Sequence, residues 1–202
     1  MVAWDSGEFG PQVVQVQVEL YTSGFKVSGK MATRFRRVAD ILNLTSSTHL
    51  IVEDAVVADY ADPANTRAAG QVMVPIDAVL FGISSGVDDR GADELRIPKR
   101  PVQTQIAVRP FWLRGMVHVP QGSRPMDGLL NASDRFLALT DVAITCAAYP
   151  QFNHTAPVLA VQRSLAEVLM STDDEAPDEL LADVLPEDAA RSWLPPPPEE
   201  PA

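Results

Sequence analysis

The first third of the chain alternates between apolar and polar residues in short runs. In QVVQVQVEL (12–20), valines alternate with glutamines, which is the period of a β-strand with one buried face. A turn-forming Thr-Ser-Gly (22–24) follows, and FKVSG (25–29) alternates again, so the two runs predict a β-hairpin. RFRRVADILN (34–43) has its apolar residues at helical spacing and predicts one or two helical turns.

The pattern continues with strands on both sides of a polar turn. HLIVEDAVVADY (49–60) predicts a third strand, and ADPANTRAAG (61–70) predicts a turn. QVMVPIDAVLFGISS (71–85) predicts one or two further strands, with a break or a sheet edge at Pro75. Residues 85–102 are rich in glycine, proline and charge, which is the composition of a linker.

Beyond the linker the same order returns, beginning with a predicted strand at 104–110. The matched segments are FKVSG (25–29) with FWLRG (111–115), RVADILN (37–43) with RPMDGLLN (124–131), LIVEDAVV (50–57) with FLALTDVAI (136–144), and VMVPIDAVLFGIS (72–84) with VLAVQRSLAEVLMS (158–171). Matched landmarks stay 86 to 88 residues apart. We therefore interpret the chain as a tandem duplication of one unit of about seventy residues.

This interpretation divides the chain into five segments. They are a loose N-terminal arm (1–11), a first repeat (12–84), a linker (85–102), a second repeat (103–171) and a tail (172–202). The strands are too short and too few for a sandwich in each repeat, and a small, strongly bent barrel is an economical way to bury them. The predicted fold class is mainly β, with two tandem small β-barrels packed as a pseudo-dimer.

Several landmarks recur in the same order in both repeats. They are Gly29, Asp40, Asn43 and the triplet EDA (53–55), then Gly115, Asp127, Asn131 and the triplet TDV (140–142). This order resembles the first motif of the Sm-like small-barrel family. It also resembles a bacterial domain of unknown function with an R-x-x-D-x-L-N … F-x-x-L-T-D-A signature. The resemblance covers roughly residues 13–84 and 103–171, and it implies barrels of Sm-like or SH3-like type.

The second motif of the Sm-like family, an Arg-Gly pair in the last hairpin, is absent. PIDAV (75–79) and QRSLAEV (162–168) stand in its place. In that family the Arg-Gly pair and the Asn help to form an RNA pocket. The resemblance therefore implies a barrel without favouring RNA binding.

The charge of the chain is concentrated in its tail. The formal net charge is −11, and residues 172–202 hold ten acids and one base, which leaves −2 for residues 1–171. A nearly neutral body supplies no general electrostatic attraction to phosphates. The composition, 46% hydrophobic and 21% charged, is that of a globular protein with a packed core.

The cysteine count and the hydropathy bear on location. The single cysteine, Cys146, rules out an internal disulfide framework, and its apolar surroundings predict a buried, inert thiol. No run approaches the ~20 apolar residues that span a bilayer, and the N-terminal segment does not resemble a secretory signal. These features predict a cytoplasmic protein without a membrane span.

Two recurring Asp/Asn pairs are the best candidates for a ligand site, Asp40 with Asn43 and Asp127 with Asn131. A repeated polar pocket could bind a carbonyl, an amide or a base edge. The alternative is local, because Asp often caps a short helix and Asn often ends one. Two other acids, Asp54 and Asp141, follow apolar runs, and we expect them in Asx turns.

A basic cluster lies just before the first predicted helical turns. Arg34, Arg36 and Arg37, with Lys26 and Lys30 nearby, could bind phosphate, an acidic partner or the chain's own tail. The alternative is a solvated loop.

The acidic tail contains an amphipathic stretch. Leu180, Leu181, Val184 and Leu185 share one helical face, and Ala189, Ala190, Trp193 and Leu194 continue it after Pro186. Such segments dock into grooves on partners, and here Leu181, Leu185, Trp193 and Leu194 are the predicted contacts. The alternative is that they pack on the protein's own barrels. The final PPPPEEPA (195–202) predicts a polyproline II end.

The sequence offers no catalytic constellation and no cofactor motif. No two histidines have ligand spacing, and no nucleophile elbow or phosphate loop is present. We therefore expect a non-enzymatic interaction or scaffold protein without a catalytic residue, metal or cofactor, whose tail docks a protein partner or a neighbouring copy. One alternative is a nucleic-acid or small-ligand binding module that uses the repeated Asp/Asn loops. A third class is an enzyme of unrecognised type.

Overall fold

A computed structural model describes residues 13–35, 37–85, 98–124, 126 and 134–171. The first half begins with the hairpin β1 (Val14–Tyr21) and β2 (Phe25–Thr33). The helix α1 (Val38–Leu44) leads into β3 (His49–Asp59) and β4 (Thr66–Pro75). A 3-10 turn, Ile76–Ala78, then connects to the short β5 (Phe81–Ser85).

The second half follows the same order of strands. β6 (Lys99–Val108) and β7 (Phe111–Pro120) form a hairpin. β8 (Phe136–Thr145), the 3-10 turn Pro150–Phe152 and β9 (His154–Gln162) come next. A 3-10 turn, Arg163–Leu165, leads to β10 (Val168–Ser171). β6 begins at Lys99, so the last residues of the expected linker are strand.

All ten strands of the described chain belong to one antiparallel sheet, in the order β10-β6-β7-β8-β9-β5-β1-β2-β3-β4. The mainly β class is confirmed. The sheet is not a closed barrel, because its order has two ends, β10 and β4. The two separate barrels that the sequence predicts are thus one continuous sheet, because β5 of the first half pairs with β9 of the second.

The alternation read from the sequence is the burial pattern of the strands. In β1, Val16, Val18 and Leu20 are buried, and in β7 the buried positions again alternate from Phe111 to Val119. Each such strand turns one face to a core and the other to water. The helix is shorter than predicted, since Arg34 and Phe35 precede it, and it buries Val38, Ile41 and Leu42.

A β-bulge occurs at the same place in both halves. The register of β2 on β3 shifts between Ser28 and Lys30, and that of β7 on β8 shifts between Arg114 and Met116. Opposite each shift lies an aspartate with positive φ, Asp54 at 46° and Asp141 at 53°. An extra residue in the left-handed region is what a bulge of this type requires, and aspartate tolerates it better than most residues. The expectation of Asx turns is therefore corrected, because both aspartates lie inside strands.

Among the described residues, the buried ones form two clusters, one in each half, and each cluster takes side chains from the other half. Tyr21, Tyr60 and Phe81 of the first half belong to the cluster of the second. Phe136 and Ala160 of the second half belong to the cluster of the first. Since neither core is complete without the other half, we expect the two halves to unfold together.

Three expected segments fall wholly or largely outside the described residues. These are the N-terminal arm (1–11), the tail (172–202) and most of the linker (85–102). All described residues belong to one compact unit, residues 1–172. Among them, no helix has the length and apolarity needed to cross a bilayer.

Candidate functional site

The first candidate pair, Asp40 and Asn43, lies on α1. The side-chain amide of Asn43 is bonded through both its groups to one residue at the start of β8. Its Nδ2 donates to the carbonyl oxygen of Phe136 at 2.9 Å, and the backbone N–H of Phe136 donates to its Oδ1 at 2.7 Å. Asn43 thus ties the helix of the first half to a strand of the second, which is a structural role.

The other predicted positions are only partly described. Asp40 is half-buried in the first turn of α1. Asp127 and Asn131 lie outside the described residues, so a repeated Asp/Asn pocket stays a prediction. The same holds for the tail contacts Leu181, Leu185, Trp193 and Leu194.

The basic cluster is less positive than its sequence suggests. Arg34 is exposed and Arg37 is half-buried at the N-cap of α1, while Arg36 lies outside the described residues. The nearby lysines are each paired with a carboxylate: Lys26 Nζ lies 2.9 Å from Glu19 Oε1, and Lys30 Nζ lies 3.1 Å from Asp54 Oδ2. These pairs reduce the attraction that the cluster would exert on a phosphate.

The most distinctive site that the structure describes is the junction between the halves, where β5 meets β9. Phe81 pairs with Val161 and Gly82 with Ala160, and the N–H of Gln162 donates to the carbonyl oxygen of Leu80 at 2.8 Å. Each strand supplies the hydrogen bonds that the edge of the other lacks.

Polar contacts accompany the pairing of β5 with β9. Arg135 forms an ion pair with Asp77. The side-chain amide of Gln151 donates to the carbonyl oxygen of Tyr60 at 3.4 Å. Together with the bonds of Asn43, these contacts join residues from both halves, so the junction is fixed at several separate points.

Aromatic rings fill the space on one side of the junction. The rings of Tyr21 and Phe81 are stacked with centroids 4.4 Å apart. Phe111 of the second half meets three rings of the first half edge-on, Tyr21 at 5.7 Å, Tyr60 at 5.5 Å and Phe81 at 5.1 Å. Edge-to-face pairs at these distances are favourable beyond the apolar area that they bury.

A chain of polar contacts borders this aromatic cluster. The hydroxyl of Tyr21 lies 3.1 Å from Glu19 Oε2 and 3.3 Å from His154 Nε2. Nδ1–H of His154 donates a hydrogen bond to the carbonyl oxygen of Phe152 at 2.7 Å. Burial, and then the neighbouring carboxylate of Glu19, raises the pKa of Tyr21. Burial also raises the pKa of Tyr60, so both phenols stay neutral in the folded protein.

The remaining ionisable residues do not converge on a reactive centre in the described chain. No group of three or more His, Cys, Asp or Glu residues there could hold a metal ion. His49 and His118 each contact a threonine hydroxyl, of Thr48 and Thr140 respectively. Cys146 is buried, as predicted, and forms no disulfide.

The outer strands of the sheet carry exposed apolar side chains, a feature that the sequence analysis missed. Met73 is exposed on β4, and Val168 and Met170 are exposed on β10. A shallow groove of about 430 Å³ lies beside β4, lined by Phe25, Val57, Asp59, Asn65, Arg67 and Ala69. The signal in the sequence was an apolar residue out of phase with the strand alternation, as Met73 is between Val72 and Val74.

Comparison with known proteins gave no relative from which a function could be transferred. The chain matches no protein-family model, no curated protein sequence and no solved structure.

Proposed function

We propose that this protein is a non-enzymatic protein–protein interaction or scaffold protein built on a duplicated five-stranded β unit. The observation that carries the proposal is the way in which the halves join. β5 and β9 pair edge to edge, and in the described part of the chain the outer strands β4 and β10 each have a single neighbour. An unpaired strand edge is a template for another strand, so these two edges are natural docking surfaces.

Four features support the duplication on which this proposal depends. The strand orders β5-β1-β2-β3-β4 and β10-β6-β7-β8-β9 correspond strand by strand. Gly29 and Gly115 occupy the same place at their bulges. A Cβ on either would meet a carbonyl oxygen of the opposite strand, that of Glu53 or that of Thr140. Asp54 follows Glu53 and Asp141 follows Thr140, and both aspartates have a left-handed backbone conformation.

A relation of each half to the Sm-like or SH3-like families in strand order is part of the proposal, although the strands here form one open sheet. It is supported by the order of five strands in each half, with the fifth strand beside the first. The alternative, a nucleic-acid or small-ligand binding module, has less support, because the amide of Asn43 is bonded to backbone and Lys26 and Lys30 are paired with carboxylates. A cytoplasmic location is also part of the proposal, since a single free cysteine suits a reducing compartment.

The tail supplies the second half of the proposed function. Leu181, Leu185, Trp193 and Leu194 would dock a partner or a neighbouring copy, as their amphipathic spacing indicates. Deleting residues 172–202 should then leave the melting temperature of the remainder unchanged. If the deletion unfolds the remainder, the tail belongs to the core and its docking role is refuted.

A photo-crosslinking amino acid placed in the full chain tests the edge surfaces. We compare position 73 on the outer strand β4 with position 112 on the inner strand β7, because Met73 and Trp112 are both exposed. In cells, a discrete adduct should form from position 73 and not from position 112, and mass spectrometry of the adduct identifies the partner. The same crosslinker is placed at position 168 on β10 and at position 193 in the tail. If positions 73, 168 and 193 all give no adduct, the proposed function is wrong.

A further inference from the structure

The two outer strands of the sheet are the counterparts of the two strands that pair at the internal junction. β4 and β9 occupy the same place in their halves: Val74 pairs with Leu50 of β3, and Val161 pairs with Leu137 of β8. β5 and β10 also correspond: Gly82 pairs with Leu20 of β1, and Leu169 pairs with Ile106 of β6. A β5-type strand and a β9-type strand thus pair once inside the sheet, as β5 with β9. The other strand of each type, β10 and β4, forms an outer edge of the sheet.

We infer that β10 of one copy pairs with β4 of a second copy, in the register of the internal junction. Phe81 pairs with Val161 and Gly82 with Ala160 at the internal junction. Val168 and Leu169 of β10 are the counterparts of Phe81 and Gly82. Val74 and Met73 of β4 are the counterparts of Val161 and Ala160. The same register therefore places Val168 opposite Val74 of the second copy and Leu169 opposite Met73. The inference rests on the proposed function, and it names the partner as the chain itself.

The exposure of the counterpart side chains supports this pairing. Phe81 and Ala160 are both 0% exposed at the internal junction. Their counterparts at the ends of the sheet, Val168 and Met73, are 43% and 62% exposed. Apolar side chains at positions that are buried in the internal junction are thus left in contact with water, and pairing of a second copy would cover them.

The groove beside β4 is the counterpart of the space that the aromatic rings fill. Its lining residues Phe25, Val57 and Ala69 are exposed or half-buried. By the strand registers these three correspond to Phe111, Ile144 and Ala156, which are buried with Tyr21, Tyr60 and Phe81. The groove on the first half therefore lies where the second half receives apolar side chains from its neighbour.

Differences in sequence should make the inferred pairing of β10 with β4 between copies weaker than the internal pairing of β5 with β9. Pro75 stands where Gln162 donates a hydrogen bond, and proline has no N–H to donate. Ala107 and Val168 are the counterparts of Tyr21 and Phe81, so the pairing between copies lacks the two aromatic rings of the internal junction. The association should therefore depend on concentration. Because a different surface of each copy is used, it is head-to-tail, which produces a ring or a filament.

The test mixes two variants of the purified full chain, each with one edge blocked. Met73→Lys blocks β4 and Val168→Lys blocks β10, because a charged side chain at an edge opposes strand addition. Val158→Lys, at an exposed position of the inner strand β9, is the matched control. All three positions are exposed, so the variants should fold, and circular dichroism checks this. If Val168→Lys does not fold, Met170→Lys replaces it.

Sedimentation velocity over a wide concentration range gives the result. The wild type and Val158→Lys should associate beyond a dimer, while each edge variant alone stays monomeric. Their equimolar mixture should form dimers and stop there, because each variant keeps one complementary edge. A wild type that stays monomeric, or edge variants that do not pair when mixed, would overturn the inference.

Two further outcomes separate this inference from its alternatives. Deleting residues 172–202 should leave self-association intact, and loss of association would show instead that the tail is the occupant, which overturns the pairing of β10 with β4. If the purified chain is monomeric but position 73 still crosslinks a different protein in cells, the inference of a second copy fails while the proposed interaction function stands.

Discussion

Gly29 and Gly115 lie where a central strand passes close to the backbone of its neighbour. A Cβ at Gly29 would lie 2.6 Å from the carbonyl oxygen of Glu53, and one at Gly115 would lie 2.9 Å from that of Thr140. Both distances are too short for a carbon, and the neighbouring atoms are backbone. The same requirement for glycine at two counterpart positions supports the proposed duplication at the residue scale.

Alanine at either glycine should destabilise the protein. We expect Gly29→Ala and Gly115→Ala each to lower the free energy of unfolding by about 1–3 kcal/mol, with the larger loss at Gly29, where the contact is shorter. Gly70→Ala is the control, because a Cβ there has no atom within 4 Å. Urea unfolding measures the three values. Equal stability of all three variants would show that the bulges do not need glycine.

Asn43 distinguishes a structural from a ligand-binding role at the recurring Asp/Asn positions. Asn43→Ala leaves the backbone N–H and carbonyl of Phe136 without their partner, and we expect a loss of about 1–3 kcal/mol in the free energy of unfolding. Ser46→Ala, at an exposed position of the loop after α1, should change little. Unchanged stability of Asn43→Ala in urea would favour the ligand-binding hypothesis instead.

At the scale of elements, two buried tyrosines make the junction sensitive to alkaline pH. Burial raises the pKa of Tyr21 and Tyr60 above the ordinary value. Above a pH of about 10 the unfolded chain loses these protons and the folded protein keeps them, so stability is present below that pH and falls as the pH rises. The fall is about 1.4 kcal/mol per pH unit for each tyrosine.

Comparing Tyr21→Phe with the wild type isolates one of these contributions. The free energy of unfolding of Tyr21→Phe should fall less steeply above pH 10, by about 1.4 kcal/mol per pH unit. Urea unfolding at several alkaline pH values measures both slopes. Parallel slopes would mean that Tyr21 is not held neutral by the fold.

The alternation of residues predicted most strands but not how the two halves pair. β1, β3 and β7 each have one buried face, and this leaves a period of two in the sequence. The pairing of β5 with β9 depends on which edges meet, and the period of neither strand records that. For this reason the sequence predicted two barrels and the structure has one open sheet.

Individual side chains show the same limit. Asp54 was expected in a turn because aspartate favours turns, yet the left-handed conformation that it tolerates also serves a bulge inside a strand. A position for Asn43 at the end of a short helix was one of two interpretations of the sequence, but its partner, Phe136, lies 93 residues away. Contacts over such separations follow from packing and leave no local signal.

At the scale of the whole molecule, the two outer strands of the sheet are of the same two types as the strands that pair in its middle. A β5-type strand meets a β9-type strand in the middle, and a strand of each type ends the sheet with its apolar side chains exposed. A folded monomer rarely leaves long edges unprotected, because they promote unwanted pairing. We therefore infer that copies of the chain use these two ends of the sheet to bind each other.

Hydrogen exchange of the native full chain, measured by mass spectrometry at increasing protein concentration, tests this claim most directly. Amides in the peptides of β4 (Thr66–Pro75) and β10 (Val168–Ser171) should exchange more slowly as concentration rises, and to the same extent in both strands, while those of β5 and β9 do not change. Exchange that is independent of concentration in both outer strands, or that slows in only one, would contradict the account.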